Sequence, residues 1–324
     1  MKKSFVCAAI TAIAFVGLPA ASFAATFHSP GYTNVSVGTV PDTANGFGNM
    51  AFGSDGTGYI VGGYGTNQGD IYSLDNGGSF ALLASNGSIG LGIAVHGGFA
   101  YTTDENKNIV KTDIATGAQT TLMNLGGDSP NGLEIIAGLD GASFTLAVAQ
   151  YNGTVTFVNG DTGAVQYTVA TGATGLSNIE QGLDGSLYAT NHGQQSVVRL
   201  DHTGVLSTVS FGIAYDGIAV HKGTGALYGF GPGVTGIDLL DISTGVATDF
   251  VSGLAGDGGY YPGLLEFSND GTRLYYGERD NGLAISYIDG FDAITTAAVP
   301  LPAGATLMLI ALGGLGAARR RRES

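Results

Sequence analysis

The middle of this chain is one unit written about six times over, and no other feature constrains its fold as strongly. A short apolar stretch introduced by Gly or Asn recurs at 49–52, 92–95, 132–136, 178–179, 217–220 and 263–267. Successive copies start 43, 40, 46, 39 and 46 residues apart. A turn follows, such as SDGTG from Ser54, LDGS from Leu183 or NDGT from Asn269. Next comes a second strand that usually carries a tyrosine: Tyr59, Tyr101, Tyr188, Tyr228 and Tyr275. A third strand ends at an aspartate (Asp75, Asp113, Asp161, Asp201, Asp241, Asp289), and in most copies a Thr-Gly turn leads into a fourth. A unit this short cannot bury its own apolar face, so the copies must pack on one another. Four antiparallel strands in roughly 40 to 45 residues define a propeller blade, and six units predict an all-β, six-bladed β-propeller over residues 25–298.

A ring of blades has to close. The segment from Tyr32 to Val40 alternates apolar and polar residues, and it is expected to supply the outer strand of the last blade. Ala293 to Ala298 is the weaker alternative. Composition agrees with short strands and tight turns: 56 glycines, few proline residues and little Glu, Lys or Arg to favour helices. The unit resembles, across residues 45–298, the blades of NHL and related six-bladed propellers. Tryptophan is absent, which disfavours the WD-repeat and quinoprotein propellers, both of which repeat a Trp.

The two ends do not belong to the repeats. Lys2 and Lys3, an apolar run from Phe5 to Leu18 and the small residues of Ser22-Phe23-Ala24 read as a signal peptide over residues 1–24, cleaved after Ala24 by signal peptidase. Cys7 is the only cysteine and leaves with it, so the exported body has no disulfide, thiol nucleophile or thiolate metal ligand. At the other end, residues 299–324 hold a proline motif, an apolar run from Ala303 to Ala318 and the arginines Arg319, Arg320, Arg321 and Arg322. The run is short of the roughly 20 residues that cross a bilayer core, but its flanks leave room for insertion as a helix. Arginines beside a membrane segment stay in the cytoplasm, which places the body across the inner membrane. Val299, Pro300, Leu301, Pro302 and Ala303, with the run and the basic end, resemble the VPLPA variant of the PEP-CTERM sorting tails of Gram-negative bacteria. The resemblance implies export, handling by an exosortase-type membrane protease, and a link to envelope or exopolysaccharide biology.

Charge narrows the partners. The net charge is −14, but between the targeting ends six basic residues (Lys107, Lys111, Arg199, Lys222, Arg273, Arg279) face twenty-five acidic ones, a net of −19. Such a surface repels phosphate backbones and excludes nucleic acid, while cations are its natural counter-species.

The candidate metal ligands lie where inner strands begin around the axis: Asn49, Asn131, Asn178 and Asp216. Their oxygens suit a hard cation such as calcium. The set is similar to that of the gluconolactonase (senescence-marker) propellers, with Asn49 standing where that family has a glutamate. Asn-Gly and Asp-Gly are also ordinary turn formers. Asp104-Glu105-Asn106 is a second, weaker cation candidate. His96 and His221 sit at matched repeat positions and read as turn residues; His192 and His202 read as loop residues, and His28 lies in the N-terminal segment. No Ser–His–Asp set can be assembled from sequence. The resulting expectation is an exported, non-enzymatic binding or scaffold protein of the cell surface, engaging a polysaccharide, a surface protein or a cation. The alternative is a metal-dependent lactonase or esterase acting at the axis.

Overall fold

The computed structural model describes residues 25–41, 46–63, 68–75, 77–88, 90–201, 204–232, 234–254, 263–278 and 284–292. The signal segment, the tail at 299–324, His202 and residues 293–298 lie outside them. Two strands precede the repeats, β1 (Thr26–Phe27) and β2 (Thr33–Thr39). Blade one holds β3 (Phe47–Phe52), β4 (Gly58–Gly62), β5 (Asp70–Leu74) and β6 (Phe80–Ser85). Blade two holds β7 (Gly90–His96), β8 (Phe99–Asp104), β9 (Asn108–Asp113) and β10 (Gln119–Asn124). Blade three is β11 (Pro130–Ala137), β12 (Phe144–Gln150), β13 (Thr154–Asn159) and β14 (Val165–Ala170). Blade four is β15 (Leu176–Gln181), β16 (Leu187–Asn191), β17 (Ser196–Leu200) and β18 (Leu206–Ser210). Blade five is β19 (Gly217–Val220), β20 (Leu227–Phe230), β21 (Gly236–Asp241) and β22 (Val246–Ser252). Blade six opens with β23 (Leu265–Phe267), β24 (Arg273–Glu278) and β25 (Ala284–Asp289). Six antiparallel sheets result, as the repeat predicts.

Closure follows the alternating N-terminal segment. β2 pairs with β25, Thr33 opposite Asp289 and Val35 opposite Tyr287, and completes blade six. The structure adds an element that the repeat does not announce. β1 pairs with β22, Thr26 opposite Ser252, and gives blade five a fifth strand. The chain start therefore ties together two adjacent blades.

The core is not central. Its six clusters are wedges between neighbouring blades, such as Phe47, Met50 and Tyr72 against Leu264 and Tyr275 at the seam of blades one and six. A similar wedge sets Ala147 and Phe157 against Ile179 and Ala189 between blades three and four. At the axis the inner strands meet backbone to backbone. A Cβ on Gly132 would lie 2.7 Å from Ser177 O and 2.8 Å from Ile179 N, so no side chain fits there. This close approach is the reason that glycine introduces so many inner strands. Threonines then stitch the strands: Thr103 Oγ1 accepts from Gly92 N at 2.8 Å and donates to Asn131 O at 3.3 Å. Thr190 does the same between Asn178 N and Asp216 O, at 2.8 and 3.3 Å.

Candidate functional site

One position of the blade carries unexpected chemistry. The residue paired with the recurrent tyrosine, or with Ala147 in blade three, is Ala51, Ala94, Glu134, Glu180, Ala219 and Glu266 in blades one to six. Three blades thus carry glutamate at this position and three alanine, and the three glutamates with Ala51 and Ala94 meet at one cavity. It has a volume of about 120 Å³ and is also lined by Asn49 and Asn269. The signal was legible as a single acidic residue inside an otherwise apolar strand: LEI, IEQ, LEF.

Lys222 enters this layer from the turn after β19. Its Nζ lies 3.7 Å from Glu134 Oε1 and 3.7 Å from Glu180 Oε2, and donates to Gln181 O. Glu134 Oε1 also accepts from Gln181 N at 3.3 Å. Glu180 and Glu266 face each other across the cavity that both line. Burial, then the Glu134 charge, pushes Glu266 up to about 8. Burial first, and the charges of Glu266 and Glu134 after it, hold Glu180 well above the usual carboxylate range. Burial also raises Glu134. Burial alone would lower Lys222, but the surrounding carboxylates outweigh it and raise its proton affinity. Like charges this close cannot all ionise, so near neutrality the layer retains a proton beside the Lys222 ammonium.

The four residues expected at the axial mouth occupy two adjacent repeat positions rather than one. Counted from the pairs with the second strand, Asn49 and Asn178 immediately precede the aligned Met50 and Ile179. Asn131 and Asp216 lie two residues before Leu133 and Ile218. Asn49 Nδ2 accordingly reaches Asn178 Oδ1 across the ring at 3.2 Å. Asn178 Nδ2 donates to Ile218 O at 3.2 Å, and Asn131 Nδ2 to Leu176 O at 2.8 Å. Both amides staple one inner strand to the next. The oxygens of Asn49 and Asn178 already accept the backbone N–H of the following residue, at 2.8 and 2.6 Å.

Asp216 is bound differently. Its buried Oδ1 lies 2.6 Å from Nδ1 of His192, whose side chain is 26% exposed. His192 opens a 3-10 turn, His192–Gln194, between β16 and β17. Sequence places it in a loop; its pairing with Asp216 comes only from the packing of blade four on blade five. Asp216 Oδ2 is buried and has no hydrogen-bond partner in the structure. It is the one carboxylate oxygen of the four residues left for a ligand, whereas calcium takes about six to eight oxygens. Among the described residues, no three His, Cys, Asp or Glu side chains form a metal-holding group.

The remaining candidates serve structure. Both oxygens of Asp104 hold Asn108, at 2.9 and 3.1 Å, and Asn106 Nδ2 donates to Ser88 Oγ at 2.8 Å. His96 packs its ring 4.3 Å from that of Phe144. The buried His221 pairs with Thr224 Oγ1 at 2.9 Å and Gly271 O at 3.2 Å. His28 meets Ser252 Oγ at 2.9 Å.

Fold and site together define a six-bladed propeller with an ionisable axial channel. Its likeness to solved structures is to streptogramin B lyase, with a TM-score of 0.57 and 16% identity over 80% of this chain and 97% of that one. Virginiamycin B lyase from Staphylococcus aureus matches with a TM-score of 0.57 and 13% identity, over 80% of this chain and 99% of that one. At such identities the likeness is one of fold. No protein-family model matches the chain, and no curated protein matches it. Among the described residues no helix is long and apolar enough to cross a membrane.

Proposed function

We propose that this is an exported propeller of the cell envelope that acts as a non-enzymatic binding protein, taking a small cationic ligand in its axial cavity. The observation that carries the reading is the layer of Glu134, Glu180 and Glu266 around that cavity, with one lysine to balance three carboxyl groups. With one proton held and Lys222 charged, the layer keeps one net negative charge, which a single bound cation neutralises. The −19 body concentrates cations at its surface and favours the same ligand. Titration with ammonium, methylamine and putrescine tests the reading. The melting temperature rises with one of them beyond the effect of tetramethylammonium chloride at equal ionic strength, and the rise is lost in a Glu180→Gln/Glu266→Gln variant. Equal responses to all four salts overturn it.

The address belongs to the same proposal. Signal peptidase acts after Ala24, and an exosortase-type protease reads Val299 to Ala303 while the apolar run sits transiently in the inner membrane. Cell fractionation after deleting residues 299–324 tests this; an unchanged location refutes it.

A hydrolytic reading is favoured by one observation, the His192–Asp216 pair. A buried carboxylate that orients a partly exposed imidazole suits a general base. Asp216 Oδ2, with Asn131 and the Asn49–Asn178 pair, is also where calcium would be sought. On this reading a panel of lactones and aryl esters is turned over, His192→Asn abolishes turnover, and calcium raises the melting temperature. Absence of turnover leaves the binding reading alone.

A further inference from the structure

A second cavity, of about 250 Å³, opens beside the axial one at the seam of blades one and six. The two share Phe52 and Asn269 in their walls. Its sides are two matched turns. In blade one, Asp55 Oδ1 and Oδ2 accept from Thr57 N and Oγ1 at 3.0 and 3.1 Å. In blade six, Asp270 Oδ1 accepts from Thr272 N and Oγ1 at 3.1 and 2.9 Å, and from Ser268 Oγ at 2.7 Å. Asn269 Nδ2 donates to Gly53 O and fixes the spacing of the two turns. The rings of Phe52 and Tyr275, 5.1 Å apart, form an apolar wall. Arg273 adds a cation: its guanidinium stands 4.7 Å over the ring of Tyr287.

The chemistry of this lining excludes most ligand classes. An anion meets two carboxylates on a strongly negative body, and a metal ion meets a guanidinium. An apolar molecule would strip water from the exposed Ser54 and Asp55 and from Arg273 without replacing its hydrogen bonds, which is costly. A neutral polyhydroxylated ring fits all of it. Its hydroxyl groups donate to the carboxylates and accept from Arg273, and its C–H face lies on the aromatic wall. The volume suits one such ring rather than a larger ligand.

We propose that the cleft between blades one and six is a subsite for one ring of a neutral saccharide, contiguous with the axial cavity. The inference rests on the binding-protein reading above. The test is saturation-transfer NMR on the full chain with methyl glucoside, methyl galactoside, N-acetylglucosamine and cellobiose. Saturable transfer to at least one sugar is expected. Asp55→Asn, which keeps an oxygen for the turn, and Arg273→Met each weaken it about tenfold, the loss of one charge-assisted hydrogen bond. Asp241→Asn, in a blade-five turn that lines neither cavity, leaves it unchanged. If Arg273→Met lowers the melting temperature, Ser54→Ala takes its place. Stronger transfer to cellobiose than to the single rings marks a polymer as the source, and the reverse marks a free sugar; either supports the subsite. No transfer from any sugar, or transfer indifferent to Asp55→Asn and to the second variant, overturns it. Amine binding at the axis is measured separately, so loss of the sugar signal with amine binding intact refutes the cleft and spares the parent reading.

Discussion

At the scale of single residues, the axial carboxyl layer dominates. Glu266 has a folded-state pKa of about 8 against an ordinary 4.5. The folded chain therefore holds this proton where the unfolded chain has lost it. The resulting stability is fully present below about pH 4.5 and is lost as pH rises toward 8. Thermal melts from pH 5 to 9 should show falling melting temperature across that window, and Glu266→Gln should flatten the slope and raise stability at pH 8. Lys222 offsets the repulsion within the layer. Lys222→Met leaves Glu134 and Glu180 without their cation and should cost about 1–2 kcal/mol, a range discounted because the lysine is 40% exposed. Denaturant melts at pH 7 measure it. The glutamates were readable as acidic residues in apolar strands, but their meeting was not. They come from copies up to 132 residues apart, and only ring closure brings positions 134, 180 and 266 to one level.

At the scale of elements, the repeat tells most of the story and the exceptions are physical. The tyrosine strands fall where the periodicity puts them, and the third strands end at their aspartates or within two residues of them, Asp161 lying two residues past β13. The closing role of β2 was legible because its alternation has no partner within the repeats. β1 was not, since two residues carry no periodicity; its place follows from the path of the chain across blade five. Removing residues 25–40 takes away both strands and exposes the edges of β22 and β25. Calorimetry should then show a lower melting temperature and a broadened transition, with blades five and six the first to open. The inner strands offer a sharper test. Gly132→Ala sets a Cβ against the backbone of Ser177, Asn178 and Ile179, all within 2.9 Å. Backbone cannot yield as a side-chain tip does, so a loss of about 1–3 kcal/mol is expected in denaturant melts. Asn49 and Asn178 stand one repeat position after Asn131 and Asp216, a difference the sequence hides for a related reason. Gly and Asn interchange freely as strand introducers, and irregular pairing just before the aligned positions hides which of two neighbours faces inward.

At the scale of the whole molecule, the body is a ring with its apolar core divided into six wedges and its polar groups gathered at the hub. Its charge of −19 is self-repelling, so raising sodium chloride from 20 mM to about 500 mM should raise the melting temperature by a few degrees through screening. A fall with salt would show that the axial ion pairs outweigh the surface. What the sequence by itself determined was local and periodic: all-β units of similar length, their number and the strand order within each, with Tyr32 to Val40 favoured over Ala293 to Ala298 to close the ring. The proposed targeting role of the two chain ends rests on sequence alone, because hydrophobic runs and basic flanks are read linearly. Tertiary structure alone decided the site. A repeat fixes what each copy looks like, whereas a binding site consists of differences between copies: Ala or Glu at one position, His192 against Asp216, two DGT turns at the closing seam. Those differences acquire meaning only when the blades surround a common axis, because electrostatic and hydrogen-bond energies depend on distance in space and not along the chain.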